Sequence, residues 1–212
     1  MMPFLARFRQ FYEQASLPLG HFCSRLGIHP NILTYLSLLF SVLAGYLLSQ
    51  REFWWGIVVI LLMGFADVLD GATARASGMA SEYGTVLDHV TDRYAEAFVM
   101  GGLMLSGVVA PVWTLFAIFG MVMASYVRAR AEATGKLASC NVGFAGRQEK
   151  LGLLLIGLIL MPFFPDRPVL EWAVIAVGIA SHITAVQRLL YTRQMLVGSA
   201  RDPKLRKESG II

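Results

Sequence analysis

Four aspartates define the chemistry open to this chain. Asp67 and Asp70 lie in Asp67-Val-Leu-Asp70-Gly71-Ala-Thr-Ala74-Arg75, and eight residues later Asp88 and Asp92 lie in Gly84-Thr-Val-Leu-Asp88-His-Val-Thr-Asp92. Spacings of three and four put each pair on one face of a helix. The short connection predicts that the two helices pack antiparallel and that their acidic stripes face each other. Four such carboxylates at a membrane edge repel strongly unless a cation neutralises them. Hard divalent cations suit all-oxygen ligands. Two ions about 3.5–4 Å apart can clamp the attacking and leaving oxygens of a phosphoryl displacement.

The elements that must position these acids are apolar helices. Of 212 residues, 56% are hydrophobic and 15% charged, against about 25% charged in a soluble domain. About 20 apolar residues span a bilayer as a helix. Six spans are expected, at roughly 32–50, 53–75, 84–107, 111–133, 149–165 and 168–192. The acidic motif interrupts the second and third at one end, and those ends must face protein or water. The expected fold is thus an all-α integral membrane protein, a single domain over 1–212.

Residues 1–30 form an interfacial segment in this reading and lack the continuous apolar stretch of a signal peptide. Phe4, Leu5, Phe8, Phe11, Tyr12 and Ala15 recur at helical spacing, opposite Arg7, Arg9, Gln10, Glu13 and Gln14. This pattern predicts an amphipathic helix on the membrane surface; packing on a soluble partner is the alternative. Residues 197–212 read as a flexible basic tail.

Basic residues set the orientation. Arg7, Arg9 and Arg25 precede the first span, Arg75 follows the second, and Arg128, Arg130, Lys136, Arg147 and Lys150 surround the link between the fourth and fifth. Arg193, Arg201, Lys204, Arg206 and Lys207 follow the last, while the opposite loops hold only Arg51 and Arg167. The positive-inside rule puts both termini and the acidic site on the cytoplasmic side of the cell membrane. Cys23 and Cys140 have no metal-type spacing and read as free thiols. His21, His29, His89 and His182 are scattered, and His89 should point about 100° around its helix from Asp88.

The pattern DxxDGxxAR-x8-GxxxDxxxD resembles the signature of the CDP-alcohol phosphotransferase family, matched here at every fixed position. The resemblance implies attack of an alcohol hydroxyl on the β-phosphorus of a CDP-activated lipid, with release of CMP. It implies that Asp67, Asp70, Asp88 and Asp92 hold Mg²⁺ or Mn²⁺, two ions in all, and that Asp92 also takes the hydroxyl proton. Gly71, Ala74 and Gly84 leave bare backbone near the acids, for a close nucleotide or for ordinary helix packing. Arg75 can pair with a CDP phosphate or snorkel to the interface. Family resemblance also brings the start of span 1 to the CDP-lipid, as His29, Pro30, Asn31, Ile32 and Thr34. Pro30 and Asn31 would equally suit a helix start. Ser81, between the motif helices, is a further candidate.

A second set of strings concerns the acceptor. Ser125-Tyr-Val-Arg128-Ala-Arg130-Ala-Glu132-Ala, Gly146-Arg147-Gln-Glu149-Lys150 and Gln187-Arg188 resemble the subgroup of phosphatidylinositol phosphate and archaetidylinositol phosphate synthases. Arg128, Arg147 and Arg188 would then converge on the phosphate of inositol phosphate, as guanidinium forks suit. A cation inside a span, as Arg188 is, is costly without a role. Gly146 stands where actinobacterial members often have an acid, and Lys150 replaces an arginine. The lipid could be CDP-diacylglycerol or CDP-archaeol. Glycerol 3-phosphate is the alternative acceptor, and a divalent-cation transporter the alternative of another class. A homodimer is expected by resemblance only.

Overall fold

The computed structural model describes residues 9–137 and 139–198, with side chains from residue 15 onward. It is all-helical over these residues: α1 (Arg9–Arg25), α2 (Pro30–Ser49), α3 (Phe53–Ser77), α4 (Glu82–Leu105), α5 (Pro111–Glu132), α6 (Arg147–Leu160) and α7 (Val169–Arg193). Phe4, Leu5, Arg7 and Phe8 of the expected surface helix lie outside the described residues, as does the basic tail beyond Gly198. Val197 and Gly198 continue α7 through a wide helical turn, Gln194–Gly198.

Among the described residues, four helices are long and apolar enough to cross a membrane: α2, α3, α5 and Val169–Val197. The α4 helix has 24 residues but carries the second acidic pair. At 14 residues, α6 is shorter than the expected fifth span, because the chain tightens into a short turn at Met161–Phe163 around Pro162. Proline has no N–H to continue the helical ladder.

Many large apolar side chains of the helices face outward. Buried on α2 are Thr34, Ser37, Ser41, Ala44, Gly45 and Leu48, while Tyr35, Leu39, Leu43 and Tyr46 are exposed. Small and hydroxyl residues inside with bulky apolar ones outside is the pattern of helices packed in lipid. On α1 the buried face is Ser16, Gly20 and Cys23, set against α3. Leu19, Phe22 and Leu26 are exposed on α1.

Close approach of small residues sets the packing. Gly45 of α2 and Gly102 of α4 meet backbone to backbone. At the α5–α7 crossing, Gly178 faces Phe116 and Ala117. Contrary to the antiparallel pair expected from the motif, α3 and α4 have scarcely any backbone contact along their lengths, and α2 packs against both. The Gly45–Gly102 crossing brings α4 onto α2 instead, leaving a gap between the acidic ends of α3 and α4. On the other side α7 packs on α5 and α6. One apolar core joins the two groups, through Leu48, Ile60, Met100, Leu103, Leu158, Val174 and Val177 among others. Far from the acids, Arg51 Nε donates to Ser106 O at 2.9 Å, tying the turn after α2 to the end of α4.

Adjacent glycines on α4 make the packing testable. A Cβ at Gly101 meets nothing, whereas one at Gly102 would overlap the Gly45 backbone. Gly102→Ala should cost about 1–3 kcal/mol through overpacking, while Gly101→Ala should leave stability level or slightly higher. Thermal unfolding of the two variants in detergent checks this contrast.

Candidate active site

Both acidic pairs sit at the ends of α3 and α4 that share a tight turn. Gly78 closes α3 in the left-handed region at φ 68°, where glycine carries no side-chain penalty. Ser81 then caps α4, its Oγ accepting from the Gly84 N–H at 3.0 Å. Ser81 thus has a structural task beside its place in the site. Carboxylate oxygens of Asp67, Asp70 and Asp88 all lie within 4.8 Å of one another. Three hard oxygen donors this close, drawn from two helices, fit a divalent cation. Asp70 is buried and accepts a 2.7 Å hydrogen bond from Thr34 Oγ1. Thr34 therefore reaches the site through an acid of the motif.

Asp92 lies one turn farther along α4 and is also buried. Its Oδ1 is 2.7 Å from Arg147 Nη1, and the same nitrogen is 2.7 Å from Asp67 Oδ2. Arg147, the first residue of α6, so bridges the acids of α3 and α4 as a built-in cation. Glu96 extends the α4 stripe by another turn. Arg93 Nη1 lies 2.8 Å from Glu96 Oε2 without the alignment of a hydrogen bond.

Two cavities flank the acids. One, of about 370 Å³, is lined by Pro30, Asn31, Thr34, Asp70, Gly71, Ala74, Arg75 and Ser81, with Gly84 and Asp88. Nearly the whole set expected to meet the CDP-lipid is therefore brought together. His29 and Ile32 are not among its lining residues. The His29 Nδ1 caps α2 by accepting from Asn31 N at 3.2 Å, and Ile32 is exposed. At Gly71 a Cβ would lie 3.2 Å from Arg75 Nη1, so the bare backbone gives room to the arginine itself.

The other cavity, of about 280 Å³, holds Arg128, Arg147 and Arg188 together with Asp67, Asp88 and Asp92. Arg188 is 8% exposed. Its Nε donates to Val142 O at 2.9 Å and its Nη1 to Ala124 O at 2.7 Å, which pins the α5–α6 connection and α5 to α7. Arg128 Nε donates to Glu132 Oε1 at 3.0 Å, and that oxygen also accepts from Cys140 N. Cys23 and Cys140 are free and buried.

Some residues of this wall escaped the sequence reading. His89 lines both cavities, as do Asp88 and Arg128. It does turn away from Asp88 along the helix, but space lies on both sides of Asp88, so that turn still ends in the site. Glu96 and Lys150 also line the smaller cavity. Helical spacing carries a signal for both: Glu96 is four residues beyond Asp92, and Lys150 is three beyond Arg147.

The family model for CDP-alcohol phosphatidyltransferases matches residues 27–186. The chain belongs to that family. It is a CDP-alcohol phosphotransferase, and its acidic cluster is able to bind a metal. The phosphatidylinositol phosphate synthase of Mycolicibacterium smegmatis is 35% identical over 190 residues, 85% of each chain. The archaetidylinositol phosphate synthase of Pyrococcus horikoshii is 33% identical over 193 residues, 91% of this chain and 98% of that one. Among solved structures, the phosphatidylinositol phosphate synthase of Mycobacterium tuberculosis with CDP-DAG bound superposes with a TM-score of 0.75. It is 30% identical, and the match covers 85% of this transferase and 94% of that chain. The same enzyme in complex with manganese and citrate gives a TM-score of 0.75 at 31% identity, covering 84% and 88%.

Thr34→Val keeps the shape of the side chain and removes its hydrogen bond to Asp70. Losing a bond to a charged group costs about 1.5–3 kcal/mol. Mn²⁺ affinity, measured by calorimetric titration of the purified transferase, should fall by roughly 10-fold or more.

Proposed function

We propose that this transferase moves the phosphatidyl-type group of CDP-diacylglycerol or CDP-archaeol onto inositol phosphate, releasing CMP and forming an inositol-phosphate lipid. The observation that carries the acceptor is the cavity in which Arg128, Arg147, Lys150 and Arg188 surround the space beside Asp92. With Arg93, five basic side chains line this cavity; an uncharged alcohol has little use for them, whereas a phosphate binds guanidinium forks bidentately. The relatives described above support the same acceptor.

In this reading the CDP headgroup occupies the larger cavity, beside Arg75 and the bare backbone of Gly71 and Ala74. Asn31 and Ser81 complete its walls. Asp67, Asp70 and Asp88, with Asp92, would hold Mg²⁺ or Mn²⁺, two ions in all, which would offset the diphosphate charge and acidify the hydroxyl. The acceptor enters from the smaller cavity, its phosphate on Arg128, Arg147 and Arg188. Its hydroxyl oxygen forms the new bond to the β-phosphorus, the bond to CMP breaks, and Asp92 takes the proton. His89, shared by both cavities, stands where the two substrates meet.

Six spans follow if α4 and the short α6 cross with the four more apolar helices. The basic residues put both termini and the site on the cytoplasmic side. The exposed Leu19, Phe22 and Leu26 of α1 suit a helix lying in the interface. A homodimer is proposed from the family resemblance.

An acceptor panel tests the function. Purified protein with a CDP-lipid and Mg²⁺ should release CMP with inositol phosphate, and far more slowly with free inositol or serine. Preference for glycerol 3-phosphate would keep the phosphate pocket and change the product. Asp92→Asn should abolish turnover and leave CDP-lipid binding largely intact. A variant keeping more than about a tenth of the wild-type rate contradicts the base role, since a lost general base costs on the order of 10²–10⁴-fold.

A further inference from the structure

Glu132 stands in the wall of the acceptor cavity, among its basic side chains. An acid there repels the phosphate that those side chains attract. Its contacts explain its presence. Glu132 closes the last turn of α5, four residues beyond Arg128 and on the same helix face. Its Oε1 accepts from Arg128 Nε at 3.0 Å and from the Cys140 N–H at 2.9 Å. Cys140 is fully buried against Ala131, Leu137 and Met195, and its Sγ lies 3.9 Å from Arg188 O on α7. The carboxylate is thus fixed to the α5–α6 connection and, through it, to α7. The arginine it holds is otherwise uncommitted. Among the described residues, Nε makes the only hydrogen bond of Arg128, and both Nη groups are without a partner. Arg188, by contrast, spends Nε and Nη1 on backbone carbonyls.

We propose that Glu132 is the positioning residue for Arg128, and through it for the acceptor's phosphate. The inference rests on the acceptor assignment above. A guanidinium gripped at Nε presents its far edge, Nη1 with Nη2. The N–H groups of that edge run parallel and match two phosphate oxygens. Without a partner, the long Arg128 side chain would sample many rotamers, and binding would have to freeze one of them. Glu132 freezes it beforehand, in the free protein. The repulsion between Glu132 and the phosphate is offset by the cation that Glu132 holds. Glu132 makes no bond to the substrate and acts through Arg128 alone.

Steady-state CMP release, measured in two backgrounds, tests this. In the otherwise wild-type enzyme, Glu132→Ala should raise the KM for inositol phosphate by roughly 2- to 10-fold, the entropy of one re-mobilised side chain, and leave the KM for CDP-lipid unchanged. With Arg128→Ala already in place the sign should reverse. Glu132 then turns a bare carboxylate toward the phosphate, and Glu132→Ala should lower the KM for inositol phosphate. Damage to the α5–α6 connection would raise that KM in both backgrounds, as would loss of a direct bond from Glu132 to the acceptor. A rise in both therefore overturns the proposal, and so does an unchanged KM in either, or a KM for CDP-lipid that rises in step. If Glu132→Ala fails to fold, Glu132→Gln in the Arg128→Ala background carries the test. It keeps an oxygen for the Cys140 N–H and removes the charge, so the KM should fall; a KM that stays or rises overturns the proposal. A wild type indifferent to phosphorylated acceptors overturns the acceptor assignment before any variant is compared, and is thereby told apart from a failure at Glu132.

Discussion

Asp67, Asp70, Asp88 and Asp92 gather in one part of a largely apolar helical protein, and several groups around them answer the resulting repulsion. Burying charges without compensation is among the most expensive things a fold can do. The compensation comes from different elements. Thr34 on α2 donates to Asp70, and Arg147 on α6 bridges Asp67 and Asp92. Through Arg147 the acids couple α6 to α3 and α4, helices it otherwise scarcely touches. Their demand for cations also equips the site for catalysis, because a cluster that needs positive charge is ready to receive a metal and the charged substrates it carries.

Helix packing provides the frame for this cluster. Many bulky apolar side chains turn outward, and glycine, alanine, serine and threonine at the helix contacts let backbones approach closely. The Gly45–Gly102 crossing holds α4 on α2 and leaves the α3 and α4 acids across an open gap. The α5–α7 pair does the corresponding work on the other side, where Arg188 ties α7 to α5 and to the α5–α6 connection.

In the proposed function, the division into two cavities would give each substrate its own wall and one shared boundary. Asp88, His89 and Arg128 belong to both spaces. A donor and an acceptor so placed, on opposite sides of one acidic ridge, would meet without competing for the same cations. Proximity of this kind removes much of the entropic cost of a bimolecular reaction.

The sequence by itself determined the chemistry and the class of fold. The spacing of the four acids with Gly71, Ala74 and Arg75 is local, and one helical turn carries it from sequence to structure. The apolar runs located the helices to within a few residues for the same reason, apart from α6, where Pro162 ends the helix early. Tertiary structure alone decided which groups share charge. No spacing relates Arg147 to Asp67 and Asp92, which lie 80 and 55 residues away. The pairing exists because α6 starts beside the acidic ends of α3 and α4. Likewise, placing α2 between α3 and α4 depends on the Gly45–Gly102 contact, and His89 enters the site because space opens on both sides of its helix. Such outcomes belong to the packing of whole helices, which local periodicity does not encode.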